Sequence, residues 1–342
     1  MEKTLSTWEL FEDLVKRILE ANNFQIHLNL TRGDRGFDFL GQLSGESWAI
    51  EVKYYRTARV RASLIESAAA RVINNGIGHQ TDKGMLVISS ILPGDIRGSL
   101  EEKFNIVFVD QIDLRNFAAA KPSLIDELDA LLELGPEFVD EKSSSKRRLH
   151  DSSIKLSGAS SPPVDRKGTD LCKELKSLKR GRSTWSKYEN ICERILKYLF
   201  PNDLQGWHKQ KSTDGGANRY DFVCRVRPNT EYWRFIVDHL NSRYVVFEFK
   251  NYSEKIKQGQ VLTTEKYLLE RGLRKVAIMF TRLGADRNAI SMMQGAMREH
   301  GKLILALDDE IVCKMLHMKE QGEDPTDFLF ELTDDFLLSL PR

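Results

Sequence analysis

Two short strand-like segments each place a glutamate and a lysine two residues apart. Glu51 and Lys53 lie in WAIEVKYY, and Glu248 and Lys250 lie in YVVFEFKNY. Because side chains alternate across a strand, each Glu-Lys pair points to one face while its apolar neighbours point to the other. A single Glu-x-Lys motif is usually a solvated strand face, so the neighbouring segments decide its meaning.

Each Glu-x-Lys segment follows a strand-like segment that carries one acid among apolar residues. Asp38 lies in GFDFL and Asp221 lies in RYDFV. If the two strands pair as a hairpin, the Asp and Glu carboxylates meet on one face. Such carboxylates repel unless a cation lies between them, and oxygen ligands suit Mg²⁺ or Mn²⁺. The ion would polarise a phosphodiester and help to activate water, while the lysine would stabilise the developing charge.

The arrangement occurs twice because the chain contains an internal repeat. STWELFEDLVKRIL (6–19) and STWSKYENICERIL (183–196) are identical at seven of fourteen positions. Apolar residues at helical spacing predict one buried stripe on each helix. The stripes are Trp8, Phe11, Val15, Ile18 and Leu19 in the first helix, and Trp185, Tyr188, Cys192, Ile195 and Leu196 in the second. Each stripe includes a glutamate, Glu12 or Glu189, which needs a partner when buried and which we expect to join the carboxylates.

The remaining pattern predicts two α/β bodies, each with an opening helix, a meander of strands and a βαβ crossover. Between them, residues 141–168 are rich in Ser, Lys and Arg and nearly free of large apolar side chains. That composition predicts a flexible basic linker. The predicted domains are therefore 1–140 and 169–342, the second with an insertion at 227–243 and a helical tail.

Composition and charge exclude several classes of protein. The 342 residues are 41% hydrophobic and 30% charged, with no apolar run long enough for a transmembrane helix and no secretory signal. Four cysteines without a Cys-x-x-Cys pair argue against a disulfide scaffold or a cysteine zinc site, so reduced, cytoplasmic residence is expected. The net charge is +1, yet residues 141–183 alone carry +7, which suits either a solvated linker or a phosphate backbone.

The repeated Asp…Glu-x-Lys pattern resembles the PD-(D/E)XK nuclease superfamily. Over about 110 residues the first body more specifically resembles the Mrr-like restriction endonuclease domain, through Phe11-Glu12, GDRGFD, IEVKYY, GMLVISS and NIVFVDQIDL. The second body resembles the superfamily more loosely, through Glu189, Asp221 and FEFKNY. Neither aspartate follows a proline, since Phe37 and Tyr220 stand there instead.

The resemblance implies two tandem restriction-endonuclease-like α/β/α domains and a Mg²⁺- or Mn²⁺-dependent DNA endonuclease. The implied catalytic residues are Asp38, Glu51, Lys53, Asp221, Glu248 and Lys250, and the implied metal ligands are Glu12, Asp38, Glu51, Glu189, Asp221 and Glu248.

A bacterial anti-phage or foreign-DNA defence role is implied as well, with cleavage restrained until a signal or a regulatory or ATPase partner protein releases it. A structure-specific repair or junction nuclease and a non-catalytic DNA-binding or assembly module stay open as alternatives. The sequence also leaves open the DNA specificity, whether both sites are active and whether the substrate is DNA or RNA. The activating signal and the oligomeric state, a homo-oligomer included, are open as well.

Overall fold

The computed structural model divides the chain into two compact units, each built around one five-stranded sheet. Unit 1 comprises Met1–Asp165 with Gln321–Glu323, and unit 2 comprises Arg166–Glu320 with Asp324–Arg342. The structure describes residues 7–28, 37–57, 60–134, 148–156, 160–209 and 221–341. The segments RGDRG (32–36) and TDGGAN (213–218), which precede Asp38 and Asp221, lie outside these ranges.

Unit 1 follows the order of elements that the sequence predicts. Its elements are α1 (Thr7–Ala21), β1 (Gln25–Leu28), β2 (Phe39–Leu43), β3 (Glu46–Lys53), α2 (Ala62–Gly78), β4 (Lys83–Ile88), α3 (Gly94–Lys103), β5 (Val107–Val109), α4 (Gln111–Ala118) and α5 (Pro122–Leu131). The sheet order is β1-β2-β3-β4-β5. The first three strands pair antiparallel, and β3, β4 and β5 pair parallel, as expected for a meander followed by crossovers.

Both faces of the unit 1 sheet are covered by helices. On one face, α1, α4 and α5 pack against Trp48, Ile50 and Val52 of β3. On the other face, α2 and α3 pack against side chains of β4 and β5. Glu51 and Lys53 alternate with the first set along β3, so they lie on the α2 side of the sheet.

Unit 2 repeats this topology with additions. Its elements are α6 (Lys167–Ser177), a 3₁₀ turn (Arg182–Thr184), α7 (Trp185–Leu199), β6 (Leu204–Lys209), β7 (Phe222–Val226), α8 (Glu231–Asp238), β8 (Tyr244–Lys250), α9 (Gln258–Glu265), β9 (Val276–Thr281), α10 (Arg287–His300), β10 (Leu303–Leu307), α11 (Asp309–Glu320) and α12 (Pro325–Leu338). The insertion at 227–243 forms α8 and leaves β7 and β8 paired antiparallel, with Phe222 opposite Phe247. The parallel strands β8, β9 and β10 complete the sheet.

The predicted helical stripes are buried except at their first residue. Phe11 and Tyr188, at equivalent positions of α1 and α7, are almost fully buried. Trp8 and Trp185, one turn earlier, are 43% and 51% exposed, so their assignment to the buried stripes was wrong. Periodicity identifies the inward side of a helix, but it does not show how far the neighbouring layer extends.

Part of the predicted linker packs instead against unit 1. Leu149, Ile154 and Leu156 are buried, and Arg148 forms an ion pair with Glu101 at 2.9 Å. The flexible-linker prediction for residues 141–168 did not include this burial of apolar side chains. The predicted linker residues 141–147 and 157–159 lie outside the described ranges.

Two of the four cysteines are paired, which the sequence did not predict. Cys172 of α6 and Cys313 of α11 are joined by a disulfide, whereas Cys192 and Cys224 are buried free thiols. The two bonded cysteines are 141 residues apart in sequence, so no local spacing motif predicts the disulfide. Among the described residues, no helix combines the length and apolar character needed to cross a membrane.

Candidate active sites on strands β3 and β8

In unit 1, the β2–β3 pairing brings Asp38 beside the Glu51 side of the sheet. The Asp38 backbone N–H donates to the Ile50 carbonyl at 3.0 Å. The Val52 N–H donates to Asp38 Oδ2 at 2.7 Å. The aspartate is thus held by the backbone of the residue that separates Glu51 from Lys53, as the predicted hairpin requires.

Glu51 and Lys53 form a buried ion pair on the α2 side of β3. Glu51 Oε1 lies 2.6 Å from Lys53 Nζ, and both side chains are buried. Burial raises the pKa of Glu51 to about 8; Lys53 opposes this rise and the Asp38 charge adds to it. Burial would lower the pKa of Lys53, but the carboxylates of Glu51, Glu323 and Asp38 outweigh it and raise that pKa well above its ordinary value.

Unit 2 repeats this geometry with different residues. The Phe249 N–H, between the glutamate and the lysine, donates to Asp221 Oδ2 at 2.7 Å. Lys250 Nζ lies 2.5 Å from Glu248 Oε2. Burial raises the pKa of Glu248 to about 7, with Lys250 opposing and Asp221 adding to the rise. The two sheets therefore present the same Asp, Glu and Lys constellation on matching strands.

The helix glutamates occupy equivalent positions on α1 and α7. Glu12 is half-buried and Glu189 is 8% exposed. The ring of Phe11, next to Glu12, packs 5.7 Å from the ring of Tyr54, which follows β3. Within the described ranges, no group of three or more His, Cys, Asp or Glu side chains is arranged to hold a metal. A metal-ligand role for Glu12 and Glu189 therefore stays a prediction.

The carboxylate pairs nevertheless fit a hard divalent cation. Glu51 Oε2 and Glu248 Oε1 are both buried and accept no hydrogen bond from the described residues. A buried carboxylate oxygen without a partner is costly, and the raised pKa values of both glutamates show that negative charge is disfavoured there. A cation held by Asp38 and Glu51, or by Asp221 and Glu248, would relieve both costs.

Contacts beyond each strand hold the end that carries the lysine. In unit 1, the Tyr55 N–H donates to Ser89 Oγ at 2.7 Å, which joins the chain after β3 to the end of β4. In unit 2, Asn251 follows Lys250 directly and accepts a hydrogen bond from Arg282 Nη1 at 3.0 Å. Arg282 also pairs with Asp309 at 2.7 Å, so strands β8, β9 and β10 are joined at their carboxyl ends.

Sequence reasoning missed Ser89, Arg282 and Glu323 as neighbours of the sites. Ser89 and Arg282 follow buried parallel strands. Because the carboxyl ends of parallel strands lie at the same edge of a sheet, their positions in the sequence could have predicted that they lie near the sites. Glu323 lies 270 residues from Lys53, and no local pattern predicts their contact. Gln258 and Gln260 open α9, where Gln260 accepts a hydrogen bond from the Lys257 N–H at 2.9 Å as a helix cap.

Comparison with known proteins supports the interpretation of the first unit. Residues 4–118 match the family model described as restriction endonuclease, of the Mrr type. No curated protein and no solved structure matches the chain. The matched region contains Asp38, Glu51 and Lys53, and it confirms the resemblance predicted from the sequence. Residues 4–118 are thus similar to restriction endonuclease domains of the Mrr type, and unit 1 is restriction-endonuclease-like.

Proposed function

We propose that this protein is a metal-dependent DNA endonuclease with one phosphodiester-hydrolysing site in each unit. The observation that carries the proposal is the Asp38–Val52 hydrogen bond, which sets an aspartate beside Glu51 and Lys53 inside the region that matches restriction endonucleases. The second site is included because Asp221, through Phe249, repeats that contact in unit 2.

The protein's own residues prepare each site for a negatively charged substrate. Asp38 and Glu51, or Asp221 and Glu248, would hold Mg²⁺ or Mn²⁺, which supplies Lewis-acid activation of a phosphodiester and of water when bound. The ammonium of Lys53 or Lys250 stabilises charge that develops on the phosphoryl oxygens. The glutamate keeps this ammonium in place, at 2.6 Å in unit 1 and 2.5 Å in unit 2.

Burial strengthens these interactions. Glu51, Lys53 and Glu248 are almost fully removed from water, so charges inside the sites interact more strongly than they would at the surface. The same burial makes the charged forms of the aspartate and the glutamate in each site costly, and binding of a cation between them would lower that cost. DNA is the expected substrate because the matched family consists of restriction endonucleases. We further propose a role against foreign DNA, with cleavage restrained until a signal or partner protein releases it.

Supercoiled plasmid incubated with the full chain tests the proposal. Mg²⁺ or Mn²⁺ should produce nicked and linear DNA, and EDTA should prevent both products. Branched DNA run in parallel separates this function from junction cleavage. The same assay is run on Glu323→Gln, which removes the second carboxylate paired with Lys53. If neither ion supports cleavage by either protein, and neither ion binds in calorimetry, the nuclease proposal is wrong and a non-catalytic module is favoured.

A further inference from the structure

The segment Gln321–Glu323 is the second stretch of chain in unit 1, and it lies directly on the first site. Glu323 Oε1 is 3.0 Å from Lys53 Nζ. The Lys53 ammonium is therefore shared between Glu51 and Glu323. The Lys53 side chain is 6% exposed while that of Glu323 is 30% exposed, so Glu323 lies on the solvent side of the lysine.

The neighbouring glycine fits this segment closely against α2. Gly322 has φ +82°, a left-handed conformation that favours glycine. A Cβ atom at this position would lie 2.5 Å from the Leu64 carbonyl oxygen and 2.7 Å from the Ala68 nitrogen. The Tyr55 hydroxyl donates to the Gly322 carbonyl. The backbone is thus held at the position that brings Glu323 to Lys53.

Glu323 has the chemistry of a phosphate substitute. A carboxylate and a phosphodiester are both anionic oxygen acceptors for an ammonium donor. A third carboxylate also adds negative charge beside Glu51 and so repels a DNA backbone. In the described part of unit 2, by contrast, Lys250 is ion-paired with Glu248 alone, and its side chain is 19% exposed.

We propose that Glu323 is a built-in competitor of the DNA phosphate, and that it must leave Lys53 before the first site can take a phosphodiester. The inference rests on the proposed function for the identity of the ligand. It assigns the restraint on cleavage to a specific contact, and it places that restraint on the first site rather than the second.

The test is a double-mutant cycle of Glu323→Gln and Lys53→Met in the full chain, in a Glu248→Gln background that silences the second site. Binding of a short fluorescent DNA duplex is measured by anisotropy with Ca²⁺, and cleavage of plasmid is measured with Mg²⁺. Glu323→Gln should tighten binding about tenfold, the scale of one charge-assisted hydrogen bond, and should raise the cleavage rate. In the Lys53→Met background the Glu323 change should have little effect.

Two variants control for charge and fold. Glu66→Gln removes another lysine-paired acid of unit 1, at 2.7 Å from Lys103, and should leave DNA affinity unchanged. Glu323→Asp keeps the charge but shortens the reach, so it should give an intermediate gain; circular dichroism confirms that each variant is folded.

Unchanged or weaker DNA binding by folded Glu323→Gln overturns the inference, and loss of cleavage would instead make Glu323 part of the catalytic machinery. If no variant cleaves DNA but Glu323→Gln still binds it more tightly through Lys53, the proposed function fails while the competitor role stands.

Discussion

The two sites share a backbone design but differ in what covers the lysine. In both units an aspartate accepts a 2.7 Å hydrogen bond from the N–H between glutamate and lysine. Lys53 is buried beneath Glu323, whereas Lys250 is more exposed and pairs with Glu248. The sheet therefore sets the geometry of the candidate catalytic groups, and a segment distant in sequence supplies the carboxylate that pairs with the first lysine.

The units also differ in how an arginine paired with buried carboxylates is used. Arg97 of α3 pairs with Asp110 and Asp113, both at 2.8 Å, which closes the turn between β5 and α4. Arg282 pairs with Asp309 and donates to Asn251, the residue after Lys250. Only the second arrangement connects directly to the residue beside a candidate catalytic lysine.

The largest expected effect comes from replacing the site glutamates. Glu51→Gln with Glu248→Gln should reduce plasmid cleavage at least about 100-fold, because both sites lose a carboxylate needed for the cation. In the chain without an activating signal or partner, Glu248→Gln alone should lower activity more than Glu51→Gln does. The reason is that Glu323 pairs with Lys53 and, as proposed above, keeps the DNA phosphate out of the first site. Gel analysis of nicked and linear plasmid over time measures both effects.

A control on the same strand is available. Glu46, at the start of β3, pairs with Lys83 at 2.7 Å, so Glu46→Gln removes another glutamate–lysine ion pair at the opposite end of the strand from Lys53. This variant should cleave at the wild-type rate. Equal losses from Glu51→Gln and Glu248→Gln, in the presence of Glu323, would show that the first site is not covered in solution.

The arginines provide the next largest contrast. Arg282→Met and Arg97→Met should each lower the free energy of unfolding by about 3–5 kcal/mol, because each leaves buried carboxylates without their partner. Only Arg282→Met should also slow cleavage by the second site, through release of Asn251. Thermal melts combined with cleavage assays at a temperature where both variants are folded separate the effects. Equal cleavage by the two variants would show that Asn251 does not support Lys250.

The pKa values predict a smaller, pH-dependent difference. Burial raises the pKa of Glu51 to about 8 and of Glu248 to about 7 in the folded, metal-free protein, above the ordinary value of 4.5. Between the unfolded-state pKa of 4.5 and these raised values, Glu51 and Glu248 keep a proton in the folded state that they have released in the unfolded state. The free energy of unfolding therefore falls as pH rises from about 4.5 toward 8.

This slope is measured from melting temperatures in EDTA between pH 5.5 and 8.5. In Glu248→Gln only Glu51 still contributes, so the slope should continue to about pH 8; in Glu51→Gln only Glu248 contributes, so the slope should flatten near pH 7. Curves that stay parallel to that of the wild type would mean that these carboxylates titrate normally.

Sequence reasoning identified the parts of each site that local patterns determine. Alternation along β3 and β8 predicts which side Glu51 and Glu248 face, and hairpin pairing predicts their aspartate neighbours. The contact of Glu323 with Lys53 could not be predicted, because it depends on how a segment 270 residues away folds back. The Cys172–Cys313 disulfide was missed for the same reason. Leu149, Ile154 and Leu156 are buried although they lie in a mostly polar segment, so composition alone did not predict their packing.

The smallest expected effect concerns the tryptophans that open the repeated helices. Trp8 and Trp185 are 43% and 51% exposed, so replacing either by Ala should lower the free energy of unfolding by no more than about 0.5 kcal/mol. The fully buried Trp48 of β3 is the matched control in unit 1, and Trp48→Ala should cost about 3–5 kcal/mol. Urea unfolding followed by far-ultraviolet circular dichroism measures all three. Because the two exposed tryptophans occupy equivalent positions, their variants should behave alike. A large loss for only one of them would show that the two opening helices, despite their common sequence, are packed differently.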